Sequence, residues 1–182
     1  MIVKERRYEL DNHELILRSP RKEDAKVLVD YLLNVSAETP YLLNEPEDVA
    51  GMTIEGEEKW IDRCNTEERG CVIVAYYDGE YAGNCCITEN RKMRLLHRGG
   101  VGIALYQKYC GLGIGKLMMQ MLFDTAKEIG LEQLELEVIA GNDRALSLYK
   151  KFGFVEYGRF PNNMKYKDGT YADAIWMMAK VQ

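Results

Sequence analysis

Residues 101–130 constrain what this chain can fold into more tightly than any other stretch. Val101-Gly102-Ile103-Ala104-Leu105 is an apolar run of strand length, followed by a short polar turn and glycines at 111, 113 and 115. From Ile114 onward, Leu117, Met118, Met121, Leu122, Ala126 and Ile129 recur at three- and four-residue steps, the period of a helix with one buried face. Gly130 stands where such a helix stops. The first turn of a helix has N–H groups without internal partners, and the macrodipole adds partial positive charge there. Glycines remove the Cβ atoms that would hold a ligand off the backbone, so strand, loop and helix together predict an anion cradle. A tight strand-to-helix turn is the plainer alternative, but a turn does not require three glycines in alternation.

Spacing narrows the anion. A P-loop needs Gly-x-x-x-x-Gly-Lys-Ser/Thr, yet Leu117 follows Gly115-Lys116 and Cys110 sits where the first glycine belongs. The dinucleotide fingerprint Gly-x-Gly-x-x-Gly/Ala needs a small residue at 116, which is Lys116.

Cys110-Gly111-Leu112-Gly113-Ile114-Gly115 instead resembles Arg/Gln-x-x-Gly-x-Gly/Ala, the coenzyme A pyrophosphate loop of the GNAT superfamily of acetyltransferases. It departs at the first position, where Cys110 replaces Arg or Gln. Downstream, Leu134–Val138 and the run Asn142-Asp143-Arg144-Ala145-Leu146-Ser147-Leu148-Tyr149-Lys150-Lys151-Phe152-Gly153-Phe154 resemble that family's next strand and helix. The close resemblance spans residues 97–160, with a weaker echo elsewhere. It implies an α/β (α+β) fold, a mixed central β-sheet flanked by α-helices, in a single N-acetyltransferase domain over 1–182. It also implies acetyl-CoA as acetyl donor, with no metal. The cofactor would lie along Ile103, Ala104, Leu105, Cys110, Gly111, Leu112, Gly113, Ile114, Gly115 and Lys116 and reach Asn142 and Tyr149. The family sets this Asn against the pantetheine or substrate side and this Tyr beside the thioester sulfur, making Tyr149 the catalytic candidate. The strand before the loop offers backbone groups to the pantetheine arm and one N–H to the thioester oxygen, an oxyanion-hole effect.

The residues themselves leave alternatives open. Asn142 and Tyr149 lie about two turns apart on one helical line, but Asn142 is also a good helix cap and Tyr149 a plausible core residue. Lys108 and Lys116 flank the loop as phosphate contacts or as solvated lysines. Gly102 and Ala104 leave room for a ligand at the backbone, or pack under a helix. An amine acceptor must lose a proton before attack, and Glu89, Glu137 or a water relay could take it. No covalent role is assigned to Cys110, since a phosphate beside it would oppose a thiolate.

The remaining sequence fits this reading. Glu14–Arg18 predicts a first strand, Lys22–Asn34 a helix, Thr39–Pro46 an irregular stretch, and Thr53 the cap of a second helix to about residue 65. Cys71–Tyr77 and Tyr81–Thr88 read as a hairpin turned by Asp78-Gly79. Leu131–Val138, Phe154–Phe160 and Tyr171–Ala179 read as the last strands. A net charge of −5 argues against a phosphate-neutralising nucleic-acid binder. No run approaches a membrane span, and Met1–Arg7 leads into no signal-peptide core, so a cytoplasmic protein without a membrane partner is expected. The odd count of 5 cysteines, with Cys85 and Cys86 facing opposite ways on one strand, fits reduced thiols. Glu38, Glu45, Glu47, Asp48, Glu55, Glu57 and Glu58 form the most acidic stretch, either a solvated face or a surface that steers a cationic acceptor.

The expectation is an N-acetyltransferase acting on a primary amine of a small molecule or of a protein or peptide N-terminus. A homodimer is compatible with it. A non-catalytic acyl-CoA-binding module and a dinucleotide-dependent enzyme are the rival readings, the second disfavoured by Lys116.

Overall fold

The computed structural model describes residues 1–181. β1 (Arg6–Leu10) and β2 (His13–Arg18) form a hairpin turned by Asp11 and Asn12, at φ 52° and 67°. Two-residue hairpin turns need positive φ, and Asn and Asp tolerate it better than other side chains. Sequence periodicity places the first strand at Glu14–Arg18; β1 precedes it, an edge strand of charged residues with little apolar signal. A 3₁₀ turn leads into α1 (Ala25–Glu38), the short α2 (Pro46–Val49) and α3 (Ile54–Thr66). Thr53 Oγ1 accepts from Gly56 N–H at 3.1 Å and caps α3 as expected. Then follow β3 (Cys71–Tyr77), β4 (Glu80–Glu89), β5 (Arg98–Leu105), α4 (Ile114–Glu128), β6 (Gln133–Ile139), α5 (Asp143–Lys151), β7 (Val155–Lys165) and β8 (Tyr171–Lys180). β7 runs past the expected end at Phe160 through an irregularity between Phe160 and Met164, with Asn162 at φ 52°. Pro161 is tolerated there because β7 is an edge strand.

The eight strands form one sheet in the order β1-β2-β3-β4-β5-β6-β8-β7. Every neighbouring pair is antiparallel except β5–β6. This is the mixed, helix-flanked sheet the sequence implies. α4 and α5 cover one face, with Met118, Met119, Met121 and Leu122 packed on Leu15, Leu17, Ile73 and Ile87. α1 and α3 cover part of the other, where Leu28, Tyr31, Val35 and Ile61 meet Val74 and Tyr81. β3 is therefore buried on both sides, which explains its unbroken apolar run from Cys71 to Ala75. Full burial of one such Leu or Met side chain contributes about 1.5–3 kcal/mol. The start of α1 is tied to the sheet by Asp24. Its carboxylate takes both Arg18 guanidinium nitrogens at 2.7 and 2.9 Å and the Tyr76 hydroxyl at 2.6 Å.

Candidate active site

β5 pairs with β4 from Gly99 to Leu105, but with β6 only at Arg98, Gly99 and Gly100. Beyond Gly100 the two parallel strands part. His97 C=O accepts from Glu132 and Gln133 on the β6 side, while Tyr106 N–H donates to Ala82 on the β4 side. Strand alternation then turns the main-chain groups of Val101, Ile103 and Leu105 into the gap, where no described residue pairs with them. Half-buried strand groups without partners are unfavourable, and a ligand carrying amides would satisfy them. The side chains of Val101, Ile103 and Leu105 pack toward the α4 core, as alternation predicts. Ala104, expected among the cofactor contacts, directs its main chain to β4 and packs its side chain in the α1 cluster. Gly102 stands over Cys86, whose Sγ would lie 3.2 Å from an added Cβ.

At the open end of the gap lies the glycine loop. Gly111 and Gly113 have φ of 88° and 89°, and a Cβ at either would meet no atom within 4 Å. Gly115 stands in a different setting. It lies within α4, and an added Cβ there would stand 3.4 Å from Leu148 and 3.7 Å from Leu105, in ordinary contact with α5 and β5 rather than in open space. Lys116 and Leu117 N–H donate to Gly113 C=O, and no described residue accepts from the N–H groups of Gly111 to Gly115. The cradle is thus a run of uncapped donors at the start of a fifteen-residue helix. Cys110 turns its thiol back onto Tyr106 C=O at 3.6 Å. Lys108 is engaged by Glu80 at 2.8 Å and lies over the Tyr109 ring, whereas Lys116 is exposed and forms no ion pair among the described residues.

α5 starts just past the end of β6. Asn142 Oδ1 accepts from Ala145 N–H at 3.2 Å, so its capping role is met. Tyr149 is buried, with its ring centroid 5.8 Å from that of Phe154. Its hydroxyl has no hydrogen-bond partner among the described residues yet is not sealed off, and burial pushes its pKa up to about 12.

The two candidate bases separate clearly. Glu89 is opposite Gly99, at the closed end of the β5–β6 pair, and is held by Arg91 at 2.8 Å. Glu137 lies on β6 beyond the last paired residue and is exposed. It accepts from Trp176 Nε1 at 2.7 Å and Asn163 Nδ2 at 3.1 Å, and forms no ion pair among the described residues. Two neutral donors orient this carboxylate and leave its charge uncompensated.

Sequence reasoning missed the strap that crosses between α1 and the far strands. Tyr41 Oη donates to Gly141 C=O at 3.0 Å, Tyr166 Oη to Pro40 C=O at 3.1 Å, and Lys167 Nζ meets Glu47 at 2.9 Å and Glu45 at 3.3 Å. Such long-range tyrosine and lysine contacts have no local signature. Much of the acidic stretch is also engaged: beyond Glu45 and Glu47 on Lys167, Glu38 accepts from Gln107 N–H, Glu55 pairs with Lys59, and Glu57 is buried. Among the described residues there is no three-residue His/Cys/Asp/Glu metal cluster and no helix long and apolar enough to cross a membrane.

The Acetyltransferase (GNAT) family model matches residues 26–154, well over half of the chain. The L-amino acid N-acetyltransferase AaaT of Escherichia coli K12 is 28% identical over 108 residues, covering 58% of this chain and 65% of its own length. This chain therefore spans just under two thirds of that relative. An acetyltransferase of the GNAT family from Streptococcus pneumoniae superposes with a TM-score of 0.86 at 27% identity, over 92% of this chain and 99% of its own. YncA of Salmonella typhimurium, a putative acetyltransferase solved with acetyl-CoA, shares the fold at a TM-score of 0.79 and 15% identity, over 92% and 94% of the two chains. The family's acetyl donor is acetyl-CoA, and the residues here fit it, with bare donors at Gly111–Gly115 for a diphosphate and a free strand edge for an amide-bearing arm. By sequence match, sheet topology and cradle alike, this chain belongs to the GNAT acetyltransferase family.

Proposed function

We propose that the protein is an N-acetyltransferase that moves the acetyl group of acetyl-CoA directly to a primary amine. The observation that carries this reading is the parted β5–β6 pair, whose free edge runs from a paired floor at Gly100 to the uncapped loop at Gly111. When bound, acetyl-CoA supplies an acyl group activated as a thioester. The N–H groups of the loop, with Lys116, hold the diphosphate. Val101, Ile103 and Leu105 bond the arm through their main chain, and one N–H on that edge donates to the thioester oxygen as negative charge grows there. Glu137 takes the proton that the acceptor's ammonium must shed. Tyr149 would hydrogen-bond the sulfur as the C–S bond breaks and the C–N bond forms, Glu137 passes its proton to solvent, and the departing thiolate takes one from solvent. A phenol near 12 is a weaker acid than a free thiol at about 8.5. Tyr149 therefore acts chiefly as a hydrogen-bond donor to developing thiolate, since complete proton transfer from it runs uphill.

The acceptor is an amine of amino-acid size or an N-terminal residue. AaaT's activity on L-amino acids supports this, and so does the cation-free Glu137. Five free thiols agree with a reducing compartment such as the cytoplasm. Incubation with acetyl-CoA and a panel of amines, following thiol release and acetylated product, tests the reading. A non-catalytic module would bind acetyl-CoA and release thiol with none of them.

A further inference from the structure

The face of β6, β8 and β7 turned away from α4 and α5 carries an uncovered aromatic ridge; the α1–α3 core contains no residue of these strands. Trp176, Phe160 and Tyr157 are 38%, 50% and 55% exposed. They are nonetheless fixed in place. Phe160 lies parallel to Trp176, with centroids 6.1 Å apart and 6° between planes, and Tyr157 flanks the indole at 6.4 Å. Gly158 sits beneath, where an added Cβ would stand 3.1 Å from the indole ring. Ordered aromatic surface of this kind marks a place where something binds.

We propose that this ridge selects the acceptor, favouring an amine with an aromatic or similarly broad apolar substituent on the carbon next to nitrogen. The inference rests on the proposed acetyl transfer with the amine at Glu137. Glu137 is directly opposite Trp176 across β6 and β8, and the indole N–H is bonded to the same carboxylate. Neighbouring strands lie about 4.8 Å apart, so Trp176 is one strand from the amine and Phe160 two. A benzyl-sized substituent spans that step and covers the ridge, whereas a hydrogen or methyl leaves it wet. Charge argues the same way. The neighbouring carboxylate on this face of β6, Glu135, is already committed to Arg98. Among the described residues of β6, β8 and β7, no cation-free carboxylate other than Glu137 lies on this face to meet the second ammonium of a polyamine.

Phenylalaninamide, glycinamide and spermidine as acceptors test this with the full chain. Wild type should show the highest kcat/KM for phenylalaninamide. Phe160→Ala, which touches neither Glu137 nor the cleft, should raise KM for phenylalaninamide about three- to tenfold at unchanged kcat, hold KM for glycinamide within about twofold, and be rescued by Phe160→Tyr. An equal shift for both amides, or none, would overturn the inference. So would sedimentation showing that Phe160→Ala splits a dimer, since the ridge would then be covered by a second copy. Transfer to no amine at all would overturn the activity and this inference with it, whereas transfer with an unchanged preference in Phe160→Ala overturns the inference alone.

Discussion

Gly99 and Gly113 flank the same cleft, one at its closed end and one at its open end, and they stand in opposite surroundings. A Cβ at Gly99 would lie 2.7 Å from Leu131 Cδ1 and 2.9 Å from Ile87 Cγ2, both in the core. A Cβ at Gly113 would meet nothing within 4 Å. The carboxylates repeat the contrast: Glu135, at the closed end, is paired with Arg98, while Glu137, beyond it, has only neutral donors. Where β5 and β6 are joined, side chains fill space and satisfy one another. Where the strands part, space and hydrogen-bonding capacity are left for a ligand. Damage to the closed end should therefore cost stability, and damage to the open end should cost binding or turnover.

The largest effect is expected at the open end. Gly113→Val puts a branched side chain where diphosphate meets the loop and should weaken coenzyme A binding by at least about 10³-fold, since it blocks several charge-assisted donors at once. The protein should still fold, because the new Cβ strikes no atom and the left-handed strain at φ 89° costs about 1–2 kcal/mol. Calorimetry giving wild-type affinity would remove the loop from the site.

Glu137→Gln comes next. It can still accept from Trp176 Nε1 through its amide oxygen, gives up the second oxygen that accepts from Asn163 Nδ2, and removes the proton acceptor, so it should lower kcat about 10²-fold with acetyl-CoA affinity unchanged. Glu89→Gln is the matched control and should leave kcat within about twofold, because its carboxylate lies at the closed end, opposite Gly99, and is held by Arg91. Steady-state rates showing the reverse order would transfer the base to the other end of the strand.

Gly99→Ala tests the closed end. Its methyl must displace Leu131 or Ile87, and overpacking of this kind costs about 1–3 kcal/mol. Urea unfolding should show the loss, while coenzyme A affinity of the folded variant stays at the wild-type level. An unchanged midpoint with weakened binding would mean that the two ends are not separate.

The same division decides what was legible in the sequence. Local rules located α3 through Thr53, the β3–β4 hairpin through Asp78-Gly79, and α4 through its apolar period ended by Gly130. β1 has a legible turn in Asp11-Asn12, but its Arg-Arg-Tyr-Glu-Leu run offers only Tyr8 and Leu10 as alternating apolar residues, too short a pattern to mark an edge strand. The parting of β5 from β6 leaves no mark in Val101–Leu105, whose residues are those of any half-buried strand. Sequence also gave Glu89 and Glu137 equal standing, for both are strand glutamates. Arg91, Trp176 and Asn163 distinguish them, and the last two come from distant strands.

Tyr149→Phe should have a smaller effect, about tenfold on kcat, below the roughly 10²–10⁴-fold of full proton transfer because only a hydrogen bond is lost. The ring and its packing on Phe154 remain, so acetyl-CoA affinity should hold. The pH dependence has a definite form. With its pKa raised to about 12, Tyr149 stays protonated throughout the assay range and remains a donor. The deficit of the Phe variant should therefore stay constant across that range, and a deficit that shrinks as pH climbs toward the thiol's own value near ~8.5 would instead mark Tyr149 as a true general acid. Equal kcat for Phe and wild type at every pH would reduce Tyr149 to a packing residue.

Cys110→Ala should have the smallest effect of all, although Cys110 is the position where the loop departs from its family pattern. Its thiol donates to Tyr106 C=O at 3.6 Å, a contact within its own turn, and weak S–H donors contribute little. On the proposed reading the diphosphate is served by the N–H groups of Gly111 to Gly115, which the substitution leaves in place. Turnover should stay within about twofold of wild type, as for loss of one weak local bond. Position still matters for access: Cys110 is half-buried beside the cradle, so saturating coenzyme A should slow its labelling by a thiol reagent. Labelling unaffected by coenzyme A would place the diphosphate elsewhere. A Cys110→Ala protein that binds coenzyme A but fails to turn over would mean that the acetyl group passes through the thiol, and direct transfer to the amine would be the wrong mechanism.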